Sequence, residues 1–101
     1  MPVWLYLLDE FTLLDIDSQQ LLELAESPYK LFELVRGAVE ERIGRVERVK
    51  LYKTYIDPST LELLIEYIVE FEHGELSVKI INSNNPTKTL QKYYEAERGE
   101  S

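Results

Sequence analysis

The chain has no cysteine, which removes disulfides, thiolate metal sites and thiol nucleophiles together and fits a reducing, intracellular setting. It has one histidine, His73, flanked by Glu72 and the nearby Glu75; a metal there would need a third and fourth ligand, so it reads as an exposed turn residue. Glycine and proline number four each, too few and too scattered for a phosphate-cradling loop or a flexible linker. No serine sits in a nucleophile-elbow pattern. Long apolar runs are also missing. The N-terminal VWLYLL is too short for a membrane span and has neither basic residues before it nor a cleavage-type segment after it, so it reads as a buried strand rather than an anchor or signal. These absences exclude the common cofactor and catalytic motifs and leave one domain over residues 1 to 101, in a cytoplasmic setting.

Positive charge is missing in a patterned way. Residues 1 to 29 hold Asp9, Glu10, Asp15, Asp17, Glu23 and Glu26 without a lysine or arginine, and residues 54 to 75 hold six acids, again without one. The intervening residues 30 to 53 carry a net +3, and the whole chain is -8. Such a surface repels nucleic acid and anionic lipid and attracts basic protein surfaces; ordinary solubility is the plainer explanation of the same charge.

What is present reads as an α+β fold, an antiparallel sheet with helices packed on one face in a two-layer sandwich. Residues 3 to 8 form a strand, and DEFTLLDID after it leans towards a loop with some extended character. Asp17 or Ser18 caps a first helix running to about Glu26, with Gln20 placed to return a bond to the cap. Ser27-Pro28 opens a second helix to Ile43, closed by Gly44; the lone Gly37 inside it points to close packing. Both should pack on the same sheet face. Asn85-Pro86 opens a third helix anchored by Leu90, Tyr93 and Tyr94, and Gly99 to Ser101 should fray.

The segment between is ambiguous. In LELLIEYIVEFE, Glu62, Glu66 and Glu70 recur every fourth residue, as on a helix, while Leu61, Leu63, Ile65, Tyr67, Val69 and Phe71 alternate, as on a strand. Register decides in favour of the strand. With strands at 46 to 56, 61 to 72 and 75 to 82, a turn at His73-Gly74 sets Val69 against Val78 and Tyr67 against Ile80. The loop at Pro58 to Thr60 sets Tyr55 against Leu63, Leu51 against Tyr67 and Arg48 against Glu70. A slip of one residue would mix every face.

The opposite face then carries Glu62, Glu66, Glu70 and Glu72 with Arg48, Lys50 and Lys79, around an apolar group of Tyr52, Leu64, Ile68 and Ile81. An apolar patch ringed by charge suits a subunit interface, so these four residues are the candidate dimer contact, unless the third helix or the N-terminal segment folds over them. The candidate partner-binding carboxylates are Glu62, Glu66, Glu70 and Glu72, with Asp9, Glu10, Asp15 and Asp17. Glu40-Glu41 point to different helix sides and read as solvated. Tyrosines 29, 52, 55, 93 and 94 near Lys50, Lys53 and Lys92 could stack bases, but the acid around them opposes phosphate. A basic set, Arg36, Arg42, Arg45, Arg48 and Lys50, lies beside Glu40, Glu41 and Glu47 and is a weaker case for nucleic acid.

The mix of Tyr, Ile, Leu, Glu and Lys, the lack of Cys and the small acidic build resemble the anti-CRISPR proteins of rod-shaped viruses of hyperthermophilic archaea. That resemblance lies in composition and charge over the whole chain, not in a motif, so it assigns no role to any single residue. It implies a non-catalytic inhibitor without cofactor or metal, active in the host cytoplasm, whose partner is the large subunit of a type I-D interference complex. From the residues themselves comes the same class: an acidic homodimer occupying a basic, nucleic-acid-binding surface of another protein, itself binding neither nucleic acid nor membrane. The alternative is a small enzyme or ligand-binding domain with a pocket between helices and sheet.

Overall fold

In the computed structural model, which describes residues 1–99, the elements run β1 (Pro2–Leu7), β2 (Glu10–Asp17), α1 (Ser18–Ala25), α2 (Pro28–Arg42), β3 (Arg48–Ile56), β4 (Leu63–Phe71), β5 (Gly74–Asn82) and α3 (Pro86–Glu97). The strands form one antiparallel sheet in the order β2-β1-β5-β4-β3, an α+β fold. The expected fraying beyond Gly99 lies outside the described residues.

The ambiguous segment is strand β4. Ile65, Tyr67 and Val69 are buried on one face with Val3, Leu5, Val78 and Ile80, and α1 and α2 cover them with Leu21, Leu31, Val35 and Val39. Each helix brings a single apolar stripe, so both settle on this face. Asp17 caps α1: its carboxylate accepts from the Gln20 amide at 2.8 Å and the Gln20 side chain accepts from the Asp17 amide at 2.9 Å, a complete capping box. Ser27 makes no such side-chain cap, and Pro28 starts α2 through its fixed φ alone.

Residues 10 to 17 are the edge strand β2 and not a loop. Leu8 and Asp9 both adopt positive φ, 53° and 62°, and close a two-residue hairpin between Leu7 and Glu10. Leucine is unusual there, whereas aspartate tolerates the left-handed region.

Two register details also differ from expectation. The loop of the β4-β5 hairpin is Glu72-His73, so Val69 meets Leu76 and Tyr67 meets Val78, two residues from the expected pairing. A slip of two preserves every face. In β3 the pairing matches expectation from Arg48 to Leu51 and then shifts at a bulge around Tyr52, so Tyr55 meets Leu64 instead of Leu63 and lies on the other face. Gly37 is exposed and a Cβ there would touch nothing within 4 Å, so close packing is not its role.

The helices are not all on one side. α3 lies across the second face, where Leu90 and Tyr93 pack on Leu64 and Ile81, flanked by Trp4, Tyr6, Phe11 and Tyr55. A third layer thus covers part of the sheet. Leu64 and Ile81 left in water would cost about 1.5–3 kcal/mol each, which α3 recovers by covering them.

Candidate functional site

The face expected to display glutamates is the face that α3 covers, and this decides the fate of each one. Glu66 is 8% exposed. It accepts hydrogen bonds from the Tyr93 hydroxyl and, at 2.6 Å, from the Ser77 hydroxyl, and its carboxylate lies 3.7 Å from the Lys79 ammonium. Lys79, 4% exposed, donates to Ser77 at 2.9 Å and sits 5.6 Å from the ring centres of both Tyr6 and Tyr94. Burial, then the carboxylate of Glu66, pushes the Tyr93 phenol far above its ordinary pKa. Tyr93 therefore acts as a donor.

Glu62 is engaged one step along. Ser83 donates to it at 3.0 Å and Thr89 at 3.2 Å, and Thr89 also donates to Ser83 at 2.7 Å. Glu70 is shared between Arg48 at 2.9 Å and Lys50 at 2.8 Å, which hold its pKa down, Lys50 most. Further fastenings of α3 are Lys92 to Asp57 and Lys53 to Glu97, each at 2.8 Å. The hydrogen bond from Lys92 and then those from Ser59 hold the Asp57 carboxyl well below the usual range, and the same contact raises Lys92. Of the four sheet glutamates only Glu72, in the hairpin loop beside His73, is exposed to solvent.

These contacts correct two assignments. Leu64 and Ile81 are fully buried under α3 and cannot form a dimer contact; Ile68 is half-buried, and Tyr52 alone of that group is largely exposed. Glu62, Glu66 and Glu70 bind α3, neighbouring hydroxyls or cations within the chain, so they are not an outward row of carboxylates. Lys79 was expected on this face and Tyr93 as an anchor of the third helix; what the sequence did not reveal is that Ser77, Ser83 and Thr89 join them around Glu62 and Glu66.

The other carboxylates are displayed. Asp9 in the β1-β2 turn and Glu10, Asp15 and Asp17 on β2 are exposed, as are Glu23 on α1, which continues directly from β2, and Glu26 at its C-cap. Asp9 accepts from the Tyr6 hydroxyl at 3.1 Å and Asp17 caps α1, yet among the described residues none of the six lies within 4.0 Å of a cationic nitrogen. Along the strand, Asp9 to Asp17 span about 25 Å.

Of the basic set, Arg36 donates to the Val46 carbonyl at 2.6 Å and Arg42 to that of Ala38 at 3.0 Å, while Arg48 and Lys50 hold Glu70. Tyr55 and Tyr93 pack edge to face 6.0 Å apart, which takes both out of any base-stacking row. His73 is exposed in its turn, 3.7 Å from Glu72, and no group of three or more His, Cys, Asp or Glu among the described residues is placed to hold a metal. Among the described residues no helix is long and apolar enough to cross a membrane. A cavity of about 260 Å³ does lie between helices and sheet, lined by Phe32, Leu51, Thr54, Leu63, Ile65 and Tyr67 among others, and it contains no acid, base or nucleophile pair. No family model, curated protein or solved structure matches this chain.

Proposed function

We propose that the chain is a non-catalytic interaction protein that docks its acidic β2 edge and the adjoining α1 onto a basic, nucleic-acid-binding surface of another protein. The observation that supports this reading is the group of six exposed carboxylates, from Asp9 to Glu26, left without a cation on one edge, whereas Glu70, Glu97 and Asp57 each hold one. Unpaired like charges held on a rigid edge keep their field, and that field raises the rate of association with a positive partner and selects against anionic ones. An inhibitor resembling the anti-CRISPR proteins would work this way, with the large subunit of a type I-D complex as its target. A second copy joined across the sheet face is not part of the proposal, because Leu64 and Ile81 are already covered.

Association with that purified subunit, followed by stopped flow across a salt series, tests the reading. A combined Asp9→Lys, Glu10→Lys, Asp15→Lys variant is expected to slow association by about tenfold or more at low salt, and Glu62→Gln to leave it unchanged. Equal rates for the charge-reversed and unaltered proteins, or no binding by either, would overturn it.

A further inference from the structure

The opposite edge of the sheet has the opposite charge. β3 has a neighbour only in β4, so alternate backbone N–H and C=O groups along it face outward without a strand to bond. Arg48, Lys50 and Lys53 point to the face that carries α3, and each is about half exposed or more although Glu70 and Glu97 touch them from the inner side. Three cations meet two carboxylates there, and β3 itself contains no acid. On the other face the same strand shows Leu51, 55% exposed, and Ile56, 56% exposed.

The bulge at Tyr52 produces this arrangement. Without the extra residue Lys53 would fall on the face covered by α1 and α2; with it, Lys53 joins Arg48 and Lys50 on the face of α3, while Leu51 and Thr54 are set one residue further apart than neighbours on a regular face. The cavity of about 260 Å³ opens beside these two residues. Its walls are otherwise apolar, except for Tyr67, which is 2% exposed and whose hydroxyl has no hydrogen-bond partner among the described residues. No fully enclosed polar side-chain atom lacks a partner among those residues, so this hydroxyl keeps an opening, and the cavity it lines is that opening. The volume falls below the range of about 300–1,000 Å³ usual for small-molecule sites and suits one or two side chains.

We propose that β3 receives an extended segment of a partner protein as a sixth strand, with apolar side chains seated in the cavity beside Leu51 and Thr54 and acidic ones facing Arg48, Lys50 and Lys53. Backbone bonds along the free edge supply affinity, and the alternation of apolar and acidic residues supplies specificity. A second copy offering its own β3 is disfavoured, because the pairing would set the cations of both strands against each other on one face. The acidic β2 edge plays no part, so this site stands or falls separately from the proposed docking function.

A fluorescein-labelled synthetic peptide of alternating leucine and aspartate, with blocked ends, is the probe, and the same peptide with lysine for aspartate is the control. Fluorescence anisotropy should detect binding of the aspartate peptide alone, and amide shifts in the unaltered, isotope-labelled protein should follow β3. Lys50→Glu and Leu51→Asp, each first checked for native circular dichroism, should weaken binding by about tenfold, and Leu13→Asp on the far edge should not. The proposal is overturned by equal binding of the two peptides, by no binding of either, or by shifts that follow β2. Self-association of the protein that occupies β3 and excludes the peptide would overturn it in favour of a second copy.

Discussion

Replacing Glu66 with alanine separates a structural carboxylate from a displayed one. The substitution strips the Tyr93 and Ser77 hydroxyls of their acceptor and leaves the Lys79 ammonium, 4% exposed, without the carboxylate 3.7 Å away. Removing one partner from a buried ion pair costs about 3–5 kcal/mol. The rings of Tyr6 and Tyr94 remain beside the cation and retain about 1 kcal/mol, so a loss near 3 kcal/mol is expected. Against a total of about 5–15 kcal/mol that is a large fraction, and it lowers Tm by roughly 10–20 °C. Urea titration followed by far-UV circular dichroism measures it. Adding Lys79→Met removes the stranded charge, and the pair of substitutions should be less harmful than Glu66→Ala alone by about 1–2 kcal/mol. A loss below about 0.5 kcal/mol for Glu66→Ala, the range of ordinary surface changes, would refute the placement of this glutamate beneath α3.

Gly37→Ala, in the exposed middle of α2 where a Cβ touches nothing, should raise stability by about 0.5–1 kcal/mol in urea; a loss would mean the position is packed. Leu8→Asn combined with Asp9→Gly gives the β1-β2 turn residues that tolerate positive φ and should raise Tm by several degrees, about 1 kcal/mol in all, in a thermal melt. Asp57→Asn tests the fastening to Lys92: because the folded carboxyl is depressed, its contribution is present above the ordinary pKa of about 4 and disappears as pH falls through the folded value. Lys92 is raised, so its share is present below its ordinary pKa of about 10.4 and is lost only as pH climbs past that. The variant should therefore be less stable at neutral pH and show a flatter acid limb; parallel acid limbs would contradict the pairing.

Face assignment was legible in the sequence because two turns had to agree on it. Val69, Tyr67 and Ile65 alternate strictly, and even an error of two residues at the hairpin left each of them on the covered side. The Asp17-Gln20 box and the Asn85-Pro86 start marked helix ends through local chemistry that tertiary contacts did not alter. β2 was hidden because its turn, Leu8-Asp9, lacks the residues that normally announce such a hairpin. The position of Tyr55 was hidden because a bulge leaves no mark in composition. The glutamates misled for a related reason. A carboxylate that alternates with apolar residues looks the same whether it faces water or a lysine, a serine and a tyrosine brought from other elements.

β5 runs through the middle of the sheet with helices over both sides, and from Val78 to Asn82 every residue is buried. β2, at the margin, shows a half-covered alternation instead. Tolerance to mutation is thus distributed unevenly: a drifting sequence can rewrite an exposed position of the margin such as Leu13 without unfolding the chain, whereas the central strand offers no such position in five consecutive codons. Homologues that diverge beyond recognition elsewhere should still share that pentapeptide's character, which makes it the segment by which distant relatives of this chain are best sought.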